Sequence, residues 1–100
     1  MVKGFPDYQS RFFTSSENFE QLKISATETE STSSFSTQVK SLLIYNDGTN
    51  ACHINFDATA TTNNIKLPAK AWLVIDLVLT DVHTKCATDE TATLYCIGLY

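Results

Sequence analysis

The sequence predicts an all-β protein: an antiparallel β-sandwich, jelly-roll or Ig-like, of seven to eight short strands with an extended N-terminal arm. Three observations carry that prediction. The strongest apolar run, residues 71–79 (Ala-Trp-Leu-Val-Ile-Asp-Leu-Val-Leu), is rich in strand formers and sits between a Lys-Leu-Pro-Ala-Lys turn and a Thr-Asp pair. Ser and Thr fill 23 of the 100 positions, and Thr favours strands over helices. Turn-forming clusters recur at roughly 8–12-residue intervals, the rhythm of a sandwich or barrel, and no amphipathic helical period of useful length interrupts them.

Taken in order, residues 1–18 read as the arm and 19–100 as the sandwich domain. The arm holds Pro6 and a Ser-Ser pair and keeps no sustained period. Yet Phe5, Tyr8, Phe12 and Phe13 make it aromatic, unlike a solvated tail. It either folds back over its own core or docks on a neighbouring subunit or another protein. Alternation at Leu22, Ile24 and Ala26 predicts a first strand over 19–26. Residues 27–34, all small hydroxyl or acidic, predict an exposed loop or a polar edge-strand extension. A strand over 39–45 follows, and the Asp47-Gly48 pair predicts a hairpin back into a strand over 52–56. Residues 57–64 form a polar loop, and Ile65 and Leu67 a short strand before Pro68. Then come the central strand 71–79, another over 82–86, a turn at 88–91, and a closing strand over 92–100.

The central strand is apolar on both sides. Leu73, Ile75, Leu77 and Leu79 share one face; Trp72, Val74, Asp76 and Val78 share the other. The closing strand is similar, with Tyr95, Ile97 and Leu99 opposite Leu94 and Cys96. An antiparallel sheet facing water normally shows polar residues on one side. The second face therefore predicts a covered surface, through which the chain self-associates as a trimer or dimer. Trp72, Val74, Val78, Tyr95 and Ile97 are its predicted residues, and Asp76 within it requires a hydrogen-bonding or ionic partner.

Composition narrows the function. One hundred residues support one domain. A formal net charge of −4, with scattered Lys and Arg, argues against nucleic-acid and membrane-surface partners. Residues 1–7 contain no apolar core of a signal peptide, and three cysteines fit poorly with a secreted disulfide framework. Synthesis in a reducing cytoplasm follows from this. The cysteines are predicted to be unpaired. In a hairpin of 82–86 with 92–100, Cys86 faces about Thr93 and Cys96 faces about His83, leaving the sulfurs roughly 10 Å apart.

No catalytic, metal or cofactor site is predicted. His83 and Cys86, three apart on a strand, point to opposite faces, as do the neighbours Cys52 and His53. Zinc needs about four converging ligands. The cysteines lie in apolar strands, where burial makes a thiol inert. Phosphate-loop, serine-hydrolase and zinc-protease motifs are missing, and the pairs Glu28/Glu30 and Asp89/Glu90 read as solvated turn residues. The chain reads as non-enzymatic.

Residues 42–100 resemble small β-sandwich virion proteins of tailed bacteriophages. The stretches that carry this are Ile44-Tyr45-Asn46-Asp47-Gly48, Ile54-Asn55-Phe56-Asp57, Ile65-Lys66-Leu67-Pro68-Ala69, Leu73-Val74-Ile75-Asp76 and Thr91-Ala92-Thr93-Leu94. Such proteins often read Pro-Gly-Glu before the central strand, where this chain has Pro68-Ala69-Lys70. The resemblance implies a virion location after synthesis in the host cytoplasm. It implies a capsid decoration (cement) protein whose partner is the major capsid protein or another virion protein, or else a receptor- or carbohydrate-binding module of a tail or fibre. In the second case Tyr8, Trp72, Tyr95 or Tyr100 would stack on sugar. No catalytic residue or cofactor comes with it.

Overall fold

The computed structural model describes residues 18–100. These form six strands and no helix: β1 (Phe19–Ala26), β2 (Ser31–Asn46), β3 (Cys52–Phe56), β4 (Ile65–Leu67), β5 (Trp72–Lys85) and β6 (Ala92–Leu99). All join one antiparallel sheet in the order β1-β6-β2-β5-β3-β4. The predicted arm, with Phe5, Tyr8, Phe12 and Phe13, lies outside the described residues apart from Asn18. Asn18 exchanges backbone hydrogen bonds with Tyr100, carrying the β1–β6 ladder one residue beyond Phe19.

The all-β class holds, and three expectations about connectivity need correction. The strand count among the described residues is six, because 71–79 and 82–86 are one continuous β5. The Asp47-Gly48 turn does not close a hairpin: β5 lies between β2 and β3. Nor do 82–86 and 92–100 pair, since β2 separates β5 from β6. The polar stretch before Phe35 is the first half of β2, with Ser31–Ser34 paired to Thr84–Asp81 of β5. Of the predicted stretch 27–34, the loop reading holds for 27–30 and the strand-extension reading for Ser31–Ser34.

Two register breaks interrupt the β2–β5 ladder, and carboxylates bond the backbone amides around the first. Between the pairs Ser34↔Asp81 and Val39↔Leu79, residues 35–38 of β2 face Thr80 alone. Such a bulge frees backbone amides from the ladder. Glu20 of β1 takes the Ser36 amide at 3.0 Å and the Ser36 hydroxyl at 2.7 Å. Across the break, Asp57 Oδ1 accepts the amides of Thr80 at 3.0 Å and Asp81 at 2.8 Å. A second break follows at once, where Lys40 alone faces Leu77 and Val78.

At these breaks the sheet curls. Ile24 and Ala26 of β1 and Leu67 of β4 come from the two outermost strands, yet they share one buried cluster with Leu42, Ile44, Ile54, Leu79 and Val82. Phe35 and Val39, flanking the first break, fill the centre of the bend. Gly98 makes room for them: a Cβ there would lie 2.7 Å from Val39 Cγ1 and 2.9 Å from the Phe35 ring. Each large aliphatic side chain buried this way contributes about 1.5–3 kcal/mol.

Asn46 fastens the other end of the sheet. Its side chain is fully buried, donates to the carbonyls of Asn50 (2.9 Å) and Leu67 (3.1 Å), and accepts the Gly48 amide (2.9 Å). Its backbone donates to Ala71 O at 3.0 Å and accepts the Lys70 amide at 2.7 Å. One residue thus ties the β2–β3 connection to β4 and to the entry of β5. Lys70 and Asp89 complete turns at φ 61° and 63°, and Asp57 does so at φ 56°.

Candidate association surface

The outward face of the four strands β1, β6, β2 and β5 is built by register. Lys23 faces Tyr95, Tyr95 faces Tyr45, and Tyr45 faces Trp72, so one row crosses all four strands. The next row outward is Gln21, Ile97, Leu43 and Val74. The third is Phe19, Leu99, Ser41 and Asp76. Alternation along each strand keeps these side chains on one side while Leu22, Ile24, Leu42, Ile44, Leu94 and Cys96 face the core.

The first row is aromatic across β6, β2 and β5 and ends in Lys23 on β1. The Trp72 and Tyr45 rings lie 4.5 Å apart between centroids, tilted by 34°, and the Lys23 ammonium sits 5.9 Å from the Tyr95 ring centre. Trp72 remains 62% exposed and Tyr95 44%. Phe19, Val74 and Val78 are also exposed, while Leu43, Tyr45 and Ile97 are half-buried. A shallow groove of about 420 Å³ runs along β1 and β6 beside this row, lined by Gln21, Lys23, Tyr95 and Ile97.

Of the predicted surface residues, Trp72, Val74, Tyr95 and Ile97 come together on this face. Val78 continues their alternation but lies beyond the second register break, next to an exposed Leu77. The sequence reading missed Tyr45, Leu43 and Phe19. A signal for the first two existed, because residues 39–45 are apolar on both sides like the central strand. Asp76 accepts a 2.7 Å hydrogen bond from the Ser41 hydroxyl, its cross-strand neighbour. The face therefore carries a partnered carboxylate at its rim.

The size of the face can be bounded. Four strands at about 4.8 Å spacing and three rows about 6.8 Å apart cover on the order of 400 Å². With Lys23, Gln21, Ser41 and Asp76 among its twelve positions, its apolar part lies at about the low end of the largest apolar patches on soluble monomers. Two copies pressed together would bury about 800 Å², short of the roughly 1,200 Å² of a standard stable interface.

The titratable groups elsewhere do structural work. Glu30 accepts from the Ala60 amide (3.0 Å) and from His83 Nδ1 (2.8 Å), and the Thr32 hydroxyl lies 3.1 Å from the same nitrogen. The Ala60 amide first, and His83 second, hold the Glu30 carboxyl below its ordinary range. The amides of Asp81 and Thr80 do the same for Asp57. Glu28 accepts weakly from Asp89 N (3.4 Å), and its carbonyl takes the Lys85 ammonium at 2.6 Å. Among the described residues, no three His, Cys, Asp or Glu side chains converge as a metal site. All three cysteines are free and buried.

No protein-family model matches the chain, and a search of curated proteins finds no match.

Proposed function

We propose that the protein is a non-enzymatic structural component of a tailed-phage virion, a capsid decoration (cement) protein that binds the head shell and self-associates through its outward apolar face. The observation that carries this reading is the in-register row Tyr95–Tyr45–Trp72 with Val74 and Ile97 behind it, left open to solvent on a sheet whose other side is the core. The curled sheet, with β1 and β4 sharing one core, is in this reading a small antiparallel sandwich. The aromatic segment before Asn18 is the shell-binding arm, and the major capsid protein its partner.

The bounded area of the face favours weak association of free chains. On a shell, many copies held at high local concentration make the same weak contact sufficient. Immunogold labelling of phage particles from the source tests the assignment. Label over the heads supports it, and particles without label overturn it.

The aromatic row also favours a second reading. Flat exposed rings beside Gln21 and Lys23 suit stacking on a sugar, as in a carbohydrate-binding module of a tail or fibre. Glycan-array binding that disappears in Trp72→Ala would support that reading over the first.

A further inference from the structure

β3 and β5 pair antiparallel with His53 opposite Lys85 and Ile54 opposite Thr84; Cys86 is the residue just past the end of β5, where a continuation of that register would face Cys52. Both point inward with Ile54 and Thr84, and their exposures are 0% and 1%. The two thiols are near enough to perturb one another's titration. Facing residues of an antiparallel pair have Cα atoms about 4.5–5.5 Å apart. That range falls inside the window of roughly 4.4–6.8 Å that a disulfide requires. Cys96 stands apart from the pair: burial alone shifts its thiol, with no contribution from either of the other cysteines.

We infer that Cys52 and Cys86 are a paired-thiol site that closes into an intrachain disulfide when the protein meets a low-molecular-weight disulfide, locking the β3–β4 edge onto β5. Cys86 reacts first. It gives its proton to solvent, and its thiolate attacks one sulfur of the reagent, breaking the reagent's S–S bond and expelling one thiolate, which takes up a proton. Cys52 then loses its proton and attacks the Cys86 sulfur, forming the intrachain bond and expelling the second reagent thiol. The protein loses two hydrogens and two electrons, and the reagent disulfide is reduced to two thiols.

Access is what limits the reaction. Burial pushes the Cys52 thiol up to about 12 and raises that of Cys86, so little thiolate exists at neutral pH. Cys52 is covered at the sheet edge by Leu67, its cross-strand partner on the three-residue β4. A short edge strand opens locally more readily than central ones. The site is therefore closed to reagent in the resting fold: Cys86, one residue past the end of β5, is reached by local opening there, and fraying of β4 then frees Cys52 to resolve the adduct. Once formed, the staple encloses the whole chain between Cys52 and Cys86, a long loop of the kind whose closure stabilises most.

The experiment incubates the full native chain with glutathione disulfide and follows it by intact mass and peptide mapping. Expected is a species lacking two hydrogens, with Cys52 linked to Cys86 and Cys96 free. Its melting midpoint should rise by roughly 5–15 °C and return on reduction. Cys96→Ser should close like wild type, whereas Cys52→Ser should stop as a single glutathione adduct on Cys86. Two stable adducts on wild type, a link involving Cys96, or no reaction of the native chain at any reagent ratio would each overturn the inference.

Discussion

The indole of Trp72 leans on the phenol ring of Tyr45, its cross-strand neighbour, at 4.5 Å between ring centres, while its other face meets no described residue closely enough to bury it. One side of the ring is thus an intrachain contact and the other is available. An aromatic pair of this kind contributes about 0.5–1.5 kcal/mol beyond area burial. Trp72→Lys should therefore fold normally, with stability lowered by about 1 kcal/mol in a denaturant titration. A loss several times larger would mean that Trp72 is a core residue, covered by a part of its own chain.

Asn46 makes the opposite prediction. Replacing it with Ala strands the Leu67 and Asn50 carbonyls and the Gly48 amide around a buried gap. Each abandoned buried group costs about 1–3 kcal/mol, discounted where water reaches the exposed turn. Asn46→Ala should lower stability by about 3 kcal/mol. Asn46→Asp should fare no better, because a carboxylate cannot donate to either carbonyl. Urea midpoints for both variants check this, and an unchanged midpoint in either would refute it.

Gly98 is constrained by packing. Its backbone runs against Phe35 and Val39, and an added methyl would press into the Val39 methyl and the Phe35 ring. Overpacking of this kind costs about 1–3 kcal/mol. Gly98→Ala should show that loss in a thermal melt. Combining it with Phe35→Leu should restore part of it, whereas strictly additive losses would place the strain elsewhere.

Acid should loosen the bend before it unfolds the chain. The carboxyls of Glu30 and Asp57 have folded values below their ordinary 4.5 and 3.8. Their stabilisation is thus complete above those ordinary values and is lost as pH falls through the lower folded ones. Amide exchange measured across that window should show Ala60, Thr80 and Asp81 losing protection as both carboxylates take up protons. Asp57→Asn should show reduced protection of Thr80 and Asp81 already at neutral pH. Equal protection across the series would remove the carboxylates from the account.

The same two breaks explain what was legible in the sequence. Period-two alternation located β1, β3, β4 and β6 to within a residue or two and marked the second apolar face, because which side a residue takes is local. Pairing order is not local. Thr80-Asp81 read as the boundary between two strands because the two residues are polar, but Asp57, distant in sequence, accepts their amides and β5 runs straight on. Asp47-Gly48 read as a hairpin because Gly suits one. Yet Asn46 turns the chain with its own side chain while bonding to Leu67 of β4, and the β3 that follows leaves room for β5 between itself and β2. The Cys52–Cys86 juxtaposition was hidden for the same reason, since it depends on β3 pairing with β5.

Sedimentation velocity of the full chain across a concentration series, wild type beside Trp72→Lys, tests the association surface most directly. The account predicts that wild type moves from monomer towards dimer or trimer as concentration reaches about 100 μM, the weak range an interface of this size supports. Trp72→Lys should stay monomeric while melting cooperatively. Wild type that remains monomeric throughout, with a sedimentation profile that Trp72→Lys reproduces, would contradict it.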